Sequence, residues 1–180
     1  MKTLVAYYSN SGNNKYLAEK IAGKLSCDIE AIKPRLNVFP FLILFSLTKA
    51  SLGIKSLKCK VNEYDRVIIC SPIWMGMIIS PLADFIRKYR KDIDHLYFAT
   101  CCGSSDAVKR QKFGHDLVFD KIKSILGDKC IHCEAFPVGL VLPEDKRADG
   151  SAMMKARLSE ENFKGDIQKR FEDFMKKVAE

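Results

Sequence analysis

The stretch Leu4-Val5-Ala6-Tyr7-Tyr8-Ser9-Asn10-Ser11-Gly12-Asn13-Asn14 decides the fold. Its first part is apolar and aromatic, which is typical of a strand buried on both faces, and a polar segment follows at once. Leu17, Ile21 and Leu25 then recur every four residues, a spacing that predicts the apolar stripe of a helix. The chain therefore opens with a buried strand, a polar loop and a helix.

The same alternation of strand, loop and helix returns along the chain. Residues 67–70 and 96–101 predict two more buried strands, and the mixed polar and apolar residues of 27–32 and 130–136 favour edge strands. This alternation predicts an α/β fold with a doubly wound five-stranded parallel sheet in the order 2-1-3-4-5. The other predicted elements are helices in 38–47, in 80–89 with Ser80 as N-cap, in 113–126 with Gly127 as the stop signal, and in 163–178 entered near Ser159, and a surface loop at 142–152.

Length and composition favour one domain over residues 1–180. The chain is 47% hydrophobic and 29% charged, which excludes a disordered or collagen-like chain. Its most apolar run, residues 38–47, is ten residues long, whereas a helix that spans a bilayer needs about 20. The N-terminus does not have the pattern of a signal peptide, and seven cysteines therefore predict free thiols in the reducing cytoplasm.

In doubly wound sheets, ligands bind beyond the carboxyl ends of the strands, where the strand order reverses. The first of three loops at that edge precedes a helix, whose free N–H groups and dipole attract anions. It lacks the Gly-Lys-Ser/Thr of a nucleoside-triphosphate loop, so a terminal monophosphate held by amides and hydroxyls fits it better. The alternative is a capped turn without a ligand. The residues of this predicted phosphate loop are Ser9, Asn10, Ser11, Gly12, Asn13 and Asn14.

The second and third loops, 71–80 and 100–106, are predicted to hold a flat ring. The only tryptophan, Trp74, either stacks on a planar ligand or packs under its own loop. The adjacent cysteines of the third loop favour small packing residues at a strand end over redox or metal chemistry. The predicted ring-binding residues are Pro72, Ile73, Trp74, Met75 and Gly76 in the second loop and Thr100, Cys101, Cys102 and Gly103 in the third.

These three loops resemble those of the flavodoxin-like flavoproteins. Residues 9–14 look like the FMN-phosphate loop of that family, and 64–74 (Tyr-Asp-Arg-Val-Ile-Ile-Cys-Ser-Pro-Ile-Trp) like its central strand and flavin-flanking loop. Residues 100–105 stand where its third flavin loop does, and the resemblance extends to about residue 138. It implies non-covalent FMN, with the phosphate on the first loop and the ring between the other two.

The resemblance implies an FMN-dependent oxidoreductase that moves electrons from NAD(P)H or a protein donor to a quinone-like or other small acceptor. No side chain is predicted to be a catalytic acid or base. One alternative is a one-electron carrier without its own substrate, as flavodoxins are, and another is a flavin-free scaffold or sensor. Electron-carrier flavodoxins are usually acidic, whereas this chain has a net charge of +8. Few carboxylates near the ring predict a less reducing flavin.

The positive charge also bears on partners. The apolar run 38–47 is predicted to be a helix that packs on the sheet. The alternative is an apolar patch in the segment 33–60 that docks an acidic protein, a second subunit or a membrane surface, which would make a cytoplasmic protein peripheral to the membrane. Nucleic acid is not expected, because no binding motif accompanies Lys109, Arg110 and Lys112. Six cations and no acid occur in this segment: Lys33, Arg35, Lys49, Lys55, Lys58 and Lys60.

Two further groups are not expected to carry chemistry. Cys130 and Cys133 resemble half of a zinc site, but no second pair matches them, and their odd offset predicts opposite faces of a strand. His95, His115 and His132 are predicted to be surface groups without an orienting partner.

Overall fold

A computed structural model describes residues 1–147 and 149–180. The strands in this part of the chain are β1 Thr3–Tyr7, β2 Asp28–Ala31, β3 Arg66–Cys70, β4 Ile73–Trp74, β5 Met77–Ile78, β6 His95–Cys102 and β7 Cys130–Pro137. The α-helices are α1 Asn13–Leu25, α2 Phe39–Thr48, α3 Ser80–Tyr89, α4 Asp116–Leu126, α5 Gly150–Lys155 and α6 Asp166–Ala179.

Five strands form one sheet in the order β2-β1-β3-β6-β7, and β4 and β5 form a separate hairpin. All four strand pairs of the sheet are parallel. Counted along the chain, the sheet strands stand in the order 2-1-3-4-5, which confirms the predicted topology and both edge strands. The switch in strand order lies between β1 and β3. The pairing of these two strands aligns Tyr7 with Cys70 at their carboxyl ends.

Helices cover both faces of the sheet. On one face, α1 and α6 pack against the sheet, and α6 buries Ile167, Phe171, Phe174 and Val178 at helical spacing. On the other face, α3 and α4 cover the sheet. Phe85 of α3 belongs to this apolar layer, and Phe98 of β6 lies fully buried beneath it. The three central strands are therefore buried on both sides, which agrees with their uninterrupted apolar sequences.

Two helices begin later than predicted. Helix α6 begins at Asp166, not near Ser159, since Gly165 adopts a positive φ of 66° and separates the helix from the turn before it. Helix α4 begins at Asp116, so Phe113 lies outside the helix and is 57% exposed. A tight turn precedes α4: a Cβ at Gly114 would lie 1.9 Å from the carbonyl oxygen of Lys109.

The predictions for α3 and for residues 142–152 also need correction. The N-cap of α3 is Ile79, and Ser80 is the first helical residue. The segment 142–152 is not only loop, because α5 begins at Gly150. The carboxylate of Asp149 caps this short helix by accepting hydrogen bonds from the N–H groups of Ser151 and Ala152.

Helix α2 is present as predicted, but only Leu42 and Ser46 are buried. After β2 the chain runs through Pro34 into α2, and on its return Ile54 forms an antiparallel bridge with Pro34. This bridge holds α2 beyond the carboxyl end of β2. The helix therefore contacts α3 and β5 instead of lying along the sheet. Among the described residues, no helix combines the length and the apolar character that a membrane span requires.

Candidate cofactor site

The first loop forms an uncapped helix N-terminus at the carboxyl edge of the sheet. Gly12 is the N-cap of α1 and has a φ of 94°, a value that favours glycine. Its N–H donates to Ser9 Oγ over 3.1 Å. No side chain caps α1 and no acid stands in its first turn. The N–H groups of Asn13, Asn14 and Lys15 have no intrahelical acceptor, so they are available to an anion.

The side chains of Asn13 and Asn14 have a structural role. The amide of Asn14 is buried and donates to the carbonyl of Cys101 over 3.2 Å, while its oxygen accepts from the N–H of Cys101 over 2.8 Å. The amide of Asn13 makes the same kind of pair with the Ala156 carbonyl and the Leu158 N–H. Each side-chain amide thus uses its oxygen and one of its two N–H groups within the protein, while the backbone N–H groups of the two residues stay available to a phosphate.

The second loop contains a hairpin where a loop was predicted. Met75 and Gly76 connect β4 to β5 with φ values of 49° and 67°, as in the two-residue type I′ turn of β-hairpins. Glycine is required at the second position, because a Cβ at Gly76 would lie 2.7 Å from the carbonyl oxygen of Lys112. This turn places Met75 at the tip of the hairpin with 49% of its surface exposed.

Trp74 forms an apolar wall together with a residue that the sequence patterns did not identify. It is half-buried and packs against the core of the α3 and α4 face, as Ile73 does. Phe39, at the start of α2, contacts it edge to face, with ring centroids 5.1 Å apart and planes at 70°. Pro72 is also half-buried. Because Phe39 is 35 positions away from Trp74 in the chain, local patterns could not have paired them.

The third loop offers backbone and no reactive thiol. Cys101 and Cys102 are buried. Burial raises the pKa of Cys102 to about 11 and raises the pKa of Cys101 as well, so both remain protonated at neutral pH. Gly103 is exposed, and no other atom lies within 4 Å of the place that a Cβ would occupy at this residue. Thr100 is fully buried, and its Oγ1 has no hydrogen-bond partner in the described part of the chain.

His115 is buried beside the third loop, so its prediction as a surface group is wrong. Its Nδ1 is hydrogen-bonded to Ser104 Oγ at 2.9 Å, and its ring packs against Phe119 with centroids 5.3 Å apart. Its Nε2 lies 3.8 Å from a carboxylate oxygen of Asp106 and 3.7 Å from one of Asp116. Burial lowers the pKa of His115, although the two carboxylates oppose this effect.

Asp106 is the only acid in the three loops, and a distant arginine neutralises it. Arg170 of α6 forms an ion pair with Asp106 and a second one with Glu134, at 3.0 Å. The guanidinium also donates to the carbonyl of Ala135 over 3.2 Å. No sequence pattern revealed this arginine, because 64 positions separate it from Asp106.

Cys130 and Cys133 correct another prediction. Their Sγ atoms lie 3.5 Å apart, so the two side chains share a face of β7. An irregularity in the pairing with β6 explains this: Leu96 pairs with Cys130, but Tyr97 pairs with His132, so one residue of β7 is skipped. The described residues hold no group of three or more His, Cys, Asp or Glu side chains arranged to bind a metal ion.

The structure brings the three predicted loops together. Asn14 joins the first loop to the third, and the N–H of Ser71 donates to the Ala99 carbonyl over 3.2 Å, which holds the second loop beside β6. Neutral donors lie at the start of α1, and a half-buried indole lies at the second loop. These donors and this apolar wall fit a ligand with a terminal phosphate and a flat ring, the group that the sequence resemblance implies.

The sequence matches a known protein family. The sequence profile of the family described as a flavodoxin domain matches residues 48–177. This region includes the second and third loops and begins after the first. No curated protein matches the chain significantly.

Solved structures give matches in fold. A flavoprotein from Lactobacillus acidophilus NCFM, crystallised in complex with FMN, aligns with a TM-score of 0.59 at 19% identity, over 74% of this chain and 92% of that one. A protein from Bacteroides eggerthii DSM 20697 aligns with a TM-score of 0.59 at 22% identity, over 74% and 87% of the two chains. At these identities the matches support the fold alone, which agrees with the observed strand order.

Proposed function

Because the chain belongs to the flavodoxin domain family, we propose that it binds FMN and acts as an oxidoreductase between a reduced nicotinamide or protein donor and a quinone-like or other small acceptor. The observation that carries this proposal is the uncapped start of α1, joined to the third loop by the two hydrogen bonds of Asn14. A phosphate monoester there would accept from the free N–H groups and gain from the helix dipole.

Each loop has a distinct part in binding. The backbone at the start of α1 and the hydroxyls of Ser9 and Ser11 hold the phosphate. Trp74 and the exposed Met75 form one wall of the ring site, and the open backbone at Gly103 forms the other. When bound, FMN supplies the electron-transfer chemistry, while the protein orients the ring and sets its electrostatic environment. The protonated thiols of Cys101 and Cys102 only fill space.

The charges around the third loop favour a less reducing flavin than that of an acidic carrier. Carboxylates near a flavin disfavour its anionic reduced form by Coulomb repulsion. Here Asp106 is paired with Arg170, so its charge is largely offset. We expect a redox titration of the FMN-loaded protein to give a potential for full reduction that is less negative than that of an acidic electron carrier. Such a potential would suit the reduction of a small acceptor. A very low potential for full reduction would contradict this part of the proposal.

Binding of FMN can be tested against a ligand that lacks the phosphate. We expect FMN to bind at least ~100-fold more tightly than riboflavin, because only FMN reaches the charge-assisted donors of α1. The double variant Ser9→Ala/Ser11→Ala should weaken FMN binding and leave riboflavin binding unchanged. Ser124→Ala, an exposed serine on α4, is the matched control. Equal affinities for the two flavins, measured by fluorescence titration, would refute the phosphate site.

Enzymatic activity needs a separate test. Steady-state oxidation of NADH or NADPH with a soluble quinone is expected to require added FMN. Tight FMN binding without turnover with either nicotinamide would instead favour the one-electron carrier. For the compartment, we propose a reducing one such as the cytoplasm, because all seven cysteines are free thiols.

A further inference from the structure

Helix α2 presents an uncovered apolar stripe to the outside. Phe41, Leu44 and Leu47 follow one another at intervals of three residues and share one side of the helix. Their exposed fractions are 47%, 50% and 53%, so about half of each side chain is uncovered. Val38, three positions before Phe41, extends this surface to the start of the helix, with 42% exposed. A helix that is apolar all round normally has neighbours on every side.

The stripe offers almost no polar side chain to a partner. Ser46 is buried and donates to the Leu42 carbonyl over 2.6 Å while it accepts from the N–H of Ser80 over 2.8 Å. The hydroxyl of Thr48 donates to the carbonyl of Leu44 over 2.9 Å. Protein interfaces typically have about one hydrogen bond per 100–200 Å², and the side chains of α2 are poorly suited to supply them.

Positive charge lies at both ends of the stripe. Arg35 precedes the helix, and Lys49 is its C-cap. Both side chains belong to exposed residues, and neither forms an ion pair with any described residue, nor do the nearby Lys33, Lys55 and Lys58. An occupant of this surface therefore has to be apolar in its middle and negative at its rim.

These features distinguish between the possible occupants. A second copy of the chain, bound through the same stripe, would bring Arg35 and Lys49 of both copies into one interface without any acid. An acidic protein could pair with the cations, but α2 would offer it few side-chain hydrogen-bond partners. We infer that α2, with the stripe from Val38 to Leu47, docks on an anionic lipid bilayer, in which the apolar side chains enter the acyl-chain boundary and the cations meet the headgroups.

The start of α2 adjoins the candidate cofactor site, so docking of the helix would bring the site close to the lipid. Tyr8, which precedes the first loop, donates from its hydroxyl to Asn37 Oδ1 over 3.1 Å. Phe39 contacts Trp74, and the exposed Met75 stands at the next position of the hairpin. Phe39 lies on the same face of α2 as Leu42 and Ser46, so the wall of the site adjoins the start of the helix. The docking inference itself uses only exposure and charge, so it holds whether or not FMN binds.

Sedimentation with vesicles tests the inference on the full chain. We expect binding to vesicles with about 30% phosphatidylglycerol and little binding to pure phosphatidylcholine, with affinity falling as salt rises. Phe41→Ser/Leu44→Ser should weaken binding more than ~10-fold, because two large apolar side chains lose their insertion. Arg35→Gln/Lys49→Gln should weaken it by about fivefold for each charge.

Matched controls remove the same chemistry elsewhere. Ile125→Ser/Ile131→Ser deletes two apolar side chains that are each 45% exposed, and Lys164→Gln/Lys169→Gln deletes two exposed charges. Both controls should bind anionic vesicles like the unaltered chain.

Several outcomes would overturn the inference. No binding to anionic vesicles at low salt would do so, and so would equal losses in the stripe variant and its control. A dimer in analytical ultracentrifugation that dissociates in Phe41→Ser/Leu44→Ser would assign the stripe to a second copy, and binding to an acidic polypeptide but not to vesicles would assign it to a protein.

Discussion

The two sides of the candidate site are built on different physical principles. On the polar side, the first and third loops are joined by paired amide hydrogen bonds from Asn14 to Cys101. On the apolar side, the hairpin with Trp74 is held against α2 by ring packing with Phe39. Hydrogen bonds fix distances and directions, whereas apolar contacts depend mainly on the area buried. The polar side therefore defines the geometry of the site, and the apolar side tolerates more change.

The same difference distinguishes the first two helices. Helix α1 buries six of its thirteen residues, among them Leu17 and Ile21, because its apolar stripe faces the sheet. Helix α2 is far more apolar, yet it buries only Leu42 and Ser46. The position of a helix relative to the sheet thus decides how much of it is covered, and apolar composition alone does not.

The largest expected effect is on the polar side, at Asn14. Asn14→Ala would leave the N–H and the carbonyl of Cys101 buried without partners, which should lower the free energy of unfolding by about 2–4 kcal/mol. Urea denaturation measures this change. Asn10→Ala removes an exposed amide of the same loop and should change stability by no more than about 0.5 kcal/mol. Equal effects in the two variants would mean that the polar side is not held by this pair.

On the apolar side, two leucines of α2 provide a matched comparison. Leu42 is 1% exposed and Leu44 is 50% exposed, although they lie two positions apart. Leu42→Ala should lower the free energy of unfolding by about 2–3 kcal/mol, whereas Leu44→Ala should change it by less than about 0.5 kcal/mol. Thermal or urea unfolding distinguishes them. A large loss in Leu44→Ala would show that α2 is covered on its outer side.

Sequence reasoning succeeded where the signal is local. The buried strands, the strand order and the meeting of the three loops follow from apolar runs and from the rules of parallel sheets. The hairpin at Met75-Gly76 was missed, because the pairs that signal a two-residue turn are Asn-Gly, Asp-Gly and Gly-Gly, and Met-Gly is not one of them. Such a turn is too short to produce a clear periodicity.

The contacts that complete the site are long-range, and single-sequence patterns do not contain them. The side chains of Asn13 and Asn14 looked like free donors, but their partners are 143 and 87 positions away. The arginine beside Asp106 comes from α6. The irregularity in β7 that brings Cys130 and Cys133 together arises from pairing with β6. Tertiary packing decides these features, so local residue types could not predict them.

A smaller effect is expected where the apolar side depends on one hydrogen bond. Ser46 Oγ accepts from the N–H of Ser80 at the first residue of α3 and is buried. Ser46→Ala should therefore lower the free energy of unfolding by about 1–2 kcal/mol, because that N–H loses its acceptor. Thr48→Ala is the control, since its hydroxyl bonds only to the exposed Leu44 carbonyl within α2. If both variants unfold at the same urea concentration as the unaltered chain, hydrogen bonding adds nothing to the attachment of α2.

The smallest expected effect is a pH dependence on the polar side, at His115. Burial holds its pKa in the folded chain below the ordinary value of about 6.5, against Asp106 and Asp116 and together with Arg170 and Lys109. Below pH ~6.5 the unfolded chain binds a proton that the folded chain resists, so stability should fall as the pH drops from that value toward the folded pKa. The contribution is fully present above pH ~6.5. His115→Gln should flatten this part of the stability profile, measured by urea unfolding at several pH values. If the free energy of unfolding of His115→Gln depends on pH with the same slope, protonation of this ring does not affect the stability of the polar side.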